Sequence, residues 1–410
     1  MDDVEFLEQM TRDVVEASRV RPGERAGSAA VSRLPCTVVR PGGGELYPAL
    51  WTRDFAMSVE SGYITDTEVR DALELLAATQ ADADVVLPSG SRVPRGSIAD
   101  HVNLDGVPIY YPGTYDPAKQ GGQWGTLPSL DDQFYFVFLL WHASRGAGGR
   151  ALRARIVRGM SLLERAELAF AMPPVSAPTG LVHSTEESWG VSFGFTDTVK
   201  HTGDVLFASL LRCEAAGYLA ELRGAGYAAM RAALSSAIAS TFEHPQSGLL
   251  RAATRRSGQP DVWGTAYAIH RGLLPEEADR RARMALARAV RAGTVSWEGQ
   301  IRHVPTDWDY DGDRVWEVPI GAIPKGTYQH GAYWATPLGW VLDALAPVDR
   351  ETARRLLAEY VGHLRREDFR VRGATGAPWE CVHPSGDYRQ NGVYMASVAA
   401  VLPASRRLQE

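Results

Sequence analysis

The 410 residues contain only three cysteines, Cys36, Cys213 and Cys381, far apart and without a CxxC pair. That spacing argues against a disulfide framework or a thiolate metal site and makes the cytoplasm the expected location. The thiols themselves read as small buried hydrophobes. No stretch reaches the roughly 18 uncharged apolar residues that span a bilayer. Met1-Asp2-Asp3-Val4-Glu5 lacks the basic start and apolar run of a secretory signal. Basic charge is also short: 43 Lys and Arg against 49 Asp and Glu leave a net charge of -6. Phosphate binding needs a concentrated basic face, so neither nucleic acid nor membrane is expected as a partner. Arg150, Arg153, Arg155 and Arg158 are spread along a predicted helix as a solvated face. Linkers, low-complexity tracts and solenoid repeats are missing too, which predicts one domain over residues 1–410.

What the sequence has is helical periodicity. Val4, Leu7, Met10, Val14 and Ala17 recur at helical spacing, as do Val69, Leu73 and Leu76. The same spacing joins Leu152, Ile156, Met160 and Leu163, then Tyr227, Met230, Leu234 and Ile238, then Leu357, Tyr360, Val361 and Leu364 behind an N-cap at Asp349. Each stripe has a polar back, so each helix faces a core on one side and water on the other. Segments of a second kind alternate with these. Phe134 to Trp141 is apolar all round and so predicted buried. Trp51–Tyr63, Thr202–Ala216, Val262–His270, Gly331–Leu345 and Gly392–Leu402 resemble it, with small residues that allow close packing.

The connections alternate as well. After each buried helix the turn is short: Ile64-Thr65, Gly146–Gly149, Gly224 to Gly226, Gly272–Leu274, Ala346 to Val348. Before each buried helix the connection is long, as in Arg21–Leu50, Ala81–Ser129, Met172–Thr196 and Ala292–Gln329. Long irregular loops in compact domains are mostly functional. Two concentric rings of six helices satisfy this alternation, with all long loops at one end. The predicted fold is therefore all-α, an (α/α)6 toroid whose long-loop end carries a site.

Polar and aromatic residues gather in those loops. The clusters are Tyr47 to Asp54, Leu130 to Gln133, Glu186 to Trp189, Phe195 to His201, Pro260 to Gly264, Tyr328 to Trp334 and Trp379 to Gly386. Sugars suit such a mixture, because their C–H faces stack on aromatic rings and their hydroxyls need fixed polar partners. A Trp at a helix start can equally pack into the core.

At these residues a resemblance becomes specific. Tyr-x-x-Leu-Trp-Thr-Arg-Asp-x-Ala at Tyr47–Ala56 resembles an inner-helix start of the six-hairpin glycosidases, particularly family 15. Gly-Phe-x-Asp at Gly194–Asp197, followed by Gly203-Asp204-Val205-Leu206, is similar to the general-acid region of families 37 and 63. Trp-Glu-x-x-x-Pro-x-Gly at Trp379–Gly386, then Asn391-Gly392, resembles the general-base segment of family 63. Tyr328–Trp334 looks like the clan's Tyr-x-Asn-Gly-Gly-x-Trp run with His330 in place of Asn. The resemblance covers residues 45 to 400. It departs in two ways: families 15 and 63 carry an added β-rich domain for which no segment remains, and the Arg that usually follows the acidic Asp is missing near Lys200 and His201.

The resemblance implies an inverting glycoside hydrolase, with Asp197 as general acid and Glu380 as general base, and loops long enough to close one end of a cleft make exo action the expectation. Inversion sets the carboxyls roughly 6.5–9.5 Å apart, with room for a water. Glu187 competes for the acid role, and the plain alternative for Asp197 is a helix N-cap. Arg53 and Asp54 are expected to clamp sugar hydroxyls, or to form a buried ion pair. Asp131 and Asp132 either contact substrate or cap their helix. Further expected contacts are Trp51, Trp189, Lys200, His201, Asp261, Trp263, His330, Trp334 and Trp379. Asp307 to Asp313 begins like a calcium loop, but Val318 stands where the closing Glu belongs, so an acidic rim is the preferred reading. No cofactor or metal is expected. Two other functions fit the toroid: an epimerase, isomerase or lyase using His201, His330 or His383, and a non-catalytic carbohydrate-binding protein.

Overall fold

The computed structural model describes residues 2–27, 31–44, 46–87, 90–110, 125–146, 148–308 and 324–410. Fifteen α-helices are found among them. α1 (Asp3–Ser18), α3 (Asp66–Thr79), α6 (Leu162–Ala171), α8 (Ala225–Phe242), α10 (Glu276–Arg291) and α12 (Arg350–Arg366) are the amphipathic set. Of their caps, only Asp349 was expected from the sequence. Asp2 with Glu5, Thr65 with Glu68 and Ser161 with Glu164 form reciprocal capping boxes that satisfy the first free N–H groups. Asp349 caps α12 by accepting from the Thr352 N–H.

α2 (Thr52–Ser58), α4 (Asp132–Ala143), α7 (Leu206–Arg223), α9 (Val262–His270), α11 (Leu338–Leu345) and the pair α14 (Ala396–Ala399) and α15 (Leu402–Gln409) alternate with them and form the inner set. In α4 every residue from Asp132 to Leu140 is buried, as its apolar run predicts. α2 packs on α4, α4 on α7, α7 on α9, α9 on α11, α11 on α15 and α14 back on α2, which closes a ring. One hydrophobic cluster runs through both sets, from Val4 to Leu408. The expected helical toroid is present.

Three expectations need correction. The stripe Leu152-Ile156-Met160-Leu163 is not one helix. It divides into α5 (Gly149–Ala154), a two-residue hairpin pairing Ile156–Val157 with Met160–Ser161, and α6. Arg158 and Gly159 take φ of +47° and +82°, the doubly left-handed turn that suits hairpin twist. Ile156 is accordingly 63% exposed. The connection from α4 to α6 is therefore not short. Second, the inner helices start late: α7 at Leu206, α11 at Leu338 and α14 at Ala396. Third, the long connections are not irregular. Among the described residues they carry most of eight small antiparallel ladders, two or three strands each. These short strands sit beside helix starts, where helical patterning hides them. α13 (Phe369–Arg372) is a further single-turn helix in the last long connection. No described helix is long and apolar enough to cross a membrane.

Small residues do let inner helices approach. A Cβ on Gly339 of α11 would lie 2.5 Å from the Ala400 carbonyl oxygen between α14 and α15. Gly→Ala inside an unhindered helix stabilises by about 1 kcal/mol. Gly339→Ala is expected to do the opposite, losing about 2–4 kcal/mol in chemical denaturation through overpacking against rigid backbone. An unchanged or raised midpoint would refute this packing.

Candidate active site

The N-terminal ends of the inner helices converge on a cleft of about 440 Å³, within the size of small-ligand sites. Tyr47, Trp51, Arg53 and Asp54 enter it at the start of α2, and Ser129 just before α4. Phe195, Asp197 and Thr198 come from the connection before α7, Pro324, Thr327 and Tyr328 from that before α11, and Glu380, Tyr388, Gln390 and Tyr394 from that before α14.

Glu380 sits on the strand Trp379–Val382, whose ladder with Arg389–Gly392 places it opposite Asn391. It is 2% exposed. The Tyr47 hydroxyl lies 3.2 Å from both its carboxylate oxygens, and Asn391 Nδ2 donates to Oε2. Burial, then the charge of Asp54, pushes its pKa up to about 8 against the pull of these donors. Asp197 follows a 3-10 turn at Gly194–Thr196 rather than capping a helix. It accepts a 2.6 Å hydrogen bond from Gln329 Nε2, and burial lifts its pKa to about 7. Asp54 is raised to about 6, again mainly by burial, while Tyr394 donates to it.

Arg53 lines the cleft and is held by carboxylates through Nε and Nη2. Its Nε and Nη2 fork onto Asp131 at 2.7 and 3.2 Å, and Nη2 reaches Asp100 at 3.1 Å. Asp131 also accepts the Gly194 N–H at 2.9 Å. Burial alone would raise Asp100; its hydrogen bond from His101 and the Arg53 charge hold it below the usual carboxylate range. Asp132 is pushed well up by burial, and its Oδ1 has no hydrogen-bond partner. Neither reading of Asp131 holds: its side chain makes no capping bond and lies behind the cleft wall, gripping Arg53. A Cβ on Gly194 would fall 1.8 Å from Arg53 Cζ, so only glycine fits there.

Of the sequence-predicted residues, the cleft brings together Trp51, Arg53, Asp54, Asp197 and Glu380. The others lie outside its described lining. Glu187 is exposed. Trp189 is buried beneath Lys200, whose ammonium is 5.2 Å from the ring and 2.9 Å from Glu186. Asp261 caps α9 through the Gly264 N–H. Trp263 is buried and stacks on His303 at 3.9 Å. Trp334 is buried, bonding the Tyr328 carbonyl, and Trp379 packs under Arg389. His201 pairs with Ser192 at 2.7 Å; burial drives it and His330 down to about 4. His383 bonds Ser385. In the acidic loop only Asp307 and Trp308 are described; Asp309 to Asp313 and Val318 lie outside the described residues.

Sequence reasoning passed over Asp100, Tyr328, Gln329, Tyr388 and Tyr394 as site residues. Backbone offers the missed signal. Tyr47, Tyr328 and Asn391 hold φ of +58°, +45° and +38°, conformations that cost about 1–3 kcal/mol and cluster at functional sites.

Searches with family models and against curated proteins return no match. Solved structures do match. A family 63 mannosylglycerate hydrolase from Thermus thermophilus, in complex with glucose, is similar at a TM-score of 0.58 and 14% identity, over 97% of this chain and 99% of that one. A family 76 α-mannanase from Bacteroides thetaiotaomicron is similar at 0.53 and 11%, over 100% and 98%. A rhamnosidase from Klebsiella oxytoca with rhamnose bound is similar at 0.54 and 15%, over 98% of this chain, which spans 64% of that protein's length. These likenesses show the helical toroid that the alternation of helices predicts.

Two consequences are measurable. Arg53→Met strands buried carboxylates and should cost about 3–5 kcal/mol in urea unfolding, with Arg53→Lys close behind because it lacks the fork. Asp261, lifted to about 7 by burial, binds its proton more tightly folded than unfolded. Its contribution is therefore complete below the unfolded value and lost as pH rises through 7. Asp261→Asn should leave stability unchanged at pH 4 and raise it by about 2–4 kcal/mol at pH 8.5. Equal effects at both pH values would contradict the burial argument.

Proposed function

We propose that this chain is a glycoside hydrolase, acting as one catalytic domain on a short oligosaccharide, disaccharide or small glycoside, by exo cleavage with inversion. The observation that carries the proposal is a pair of carboxyls, the half-buried Asp197 and the buried Glu380, in one aromatic-lined cleft, each hydrogen-bonded and each with a raised pKa. Solved proteins of the same fold with glucose or rhamnose bound support a sugar as ligand. No histidine is among the described residues lining the cleft, which disfavours proton abstraction by His201, His330 or His383.

In this reading Asp197 gives its proton to the glycosidic oxygen as the bond to the anomeric carbon breaks. Glu380 takes a proton from the water that attacks the opposite face, and solvent returns one proton from Glu380 to Asp197. Tyr47 and Asn391 both donate to Glu380 and favour its charged form, but burial still leaves Glu380 near 8 and Asp197 near 7, so the productive form, with Asp197 protonated and Glu380 ionised, is the less populated of the two one-proton forms. Trp51, Tyr47, Tyr328 and Phe195 offer ring faces to the sugar. Asp54 is placed to accept a sugar hydroxyl.

An active pair holds one proton. With values near 7 and 8 for the two groups, kcat/KM should be bell-shaped with its optimum between them, falling below as both protonate and above as both ionise. Asp197→Asn should lose about 10²–10⁴-fold on natural glycosides but far less on activated aryl glycosides, which leave without a proton. Glu380→Gln should lose both. Anomer-resolved NMR should show the inverted product first. Retained anomeric configuration, or full activity in both variants, would sink the proposal.

A further inference from the structure

Gln329 lies beneath the cleft floor, fully buried, in the run that leads to α11. Its Oε1 accepts from the Thr198 N–H at 2.7 Å and from the Thr198 hydroxyl at 2.5 Å. Its Nε2 faces the Gly194 carbonyl at 3.3 Å and Asp197 Oδ1 at 2.6 Å. A backbone N–H can only donate and a backbone carbonyl can only accept. These two fixed partners, one at each end, settle the amide's orientation independently of Asp197. A flipped amide would set N–H against N–H and oxygen against oxygen.

Asp197 Oδ1 therefore always meets a donor. A carboxylic acid carries one proton, so the proton of Asp197 belongs on Oδ2. Among the described residues, Gln329 is the one side chain hydrogen-bonded to Asp197. We infer that Gln329 is a positioning residue that confines the transferable proton of Asp197 to Oδ2. This rests on the reading of Asp197 as general acid. It also supplies a term that grows during the reaction: when Oδ2 gives its proton to the leaving oxygen, the Gln329 bond becomes charge-assisted and strengthens. The same donor favours ionised Asp197, opposing the upward push of burial.

The test compares Gln329→Leu and Gln329→Glu with the unsubstituted enzyme, on a natural glycoside and on an activated aryl glycoside, across pH. Gln329→Glu keeps shape and the acceptor for Thr198 while removing the obligatory donor, so it guards against simple misfolding in the leucine variant. Both should move the acid limb of kcat/KM up by about half a pH unit, because Asp197, near 7, is the lower of the two groups. Both should lower kcat on the natural glycoside by about 10–100-fold while changing KM little, and both should spare the aryl glycoside. Equal losses on both substrates with an unmoved acid limb would reduce Gln329 to a structural role and overturn the inference. Asp197→Asn separates the two failures. If it loses only the natural substrate while the Gln329 variants keep a normal limb, this inference falls alone. If Asp197→Asn keeps full activity, the reading of the acid falls with it.

Discussion

The guanidinium of Arg53 holds the site end of the toroid together. It sits in the first turn of α2, forks onto Asp131 at the start of α4 and touches Asp100 in the preceding ladder. Burying it against one carboxylate would leave desolvation uncompensated; burying it among several offsets that cost with close, directional bonds. The cluster then fixes the rest. Asp131 takes the Gly194 N–H as well, and Gly194 has no side chain because the guanidinium occupies that space. The turn that ends in Asp197 is thereby seated on the same ions that join the first two inner helices. Of the two sequence readings of Arg53, a sugar clamp or a buried ion pair, the ion pair is present, made with Asp131, Asp100 and Asp132.

Helix type, order and the side carrying the site were legible because each rests on local physics. Capping boxes at Asp2, Thr65 and Ser161 mark starts, and a one-sided apolar stripe marks an outer helix. Period analysis failed where a turn of two residues interrupts a helical stripe. Arg158-Gly159 reverses the chain between Ile156 and Met160, and four apolar residues at helical spacing carry no trace of it. Within the site, Asp197, Glu380, Trp51, Arg53 and Asp54 stood out by motif. Trp263 and Trp334 were misplaced for a general reason: aromatic residues at inner-helix starts serve the core as readily as the cleft, and only the fold decides. Tyr394 was not singled out, and Gln329 was quoted in a motif without a role, because their partners lie 340 and 132 residues away in sequence.

Those distant partners show how the loops brace one another. Each of the two carboxyls takes a donor from a different connection: Asp197 from Gln329 before α11, Glu380 from Tyr47 before α2. The run from Tyr328 to Trp334 also pairs with the strand that carries Glu380, Tyr333 and Val382 exchanging backbone hydrogen bonds of 2.8 and 2.9 Å. One segment therefore links to both carboxyls, by backbone pairing beside Glu380 and by the Gln329 side chain at Asp197.

This bracing has a thermodynamic reason. Asp54, Asp197 and Glu380 are each raised by burial, so each opposes folding as pH climbs through neutrality. Tyr47, Tyr328 and Asn391 add left-handed backbone to the same small region. A cleft carrying both kinds of strain persists only if the surrounding structure over-determines it. The ring of inner helices, the Arg53 cluster and the cross-loop ladders supply that constraint.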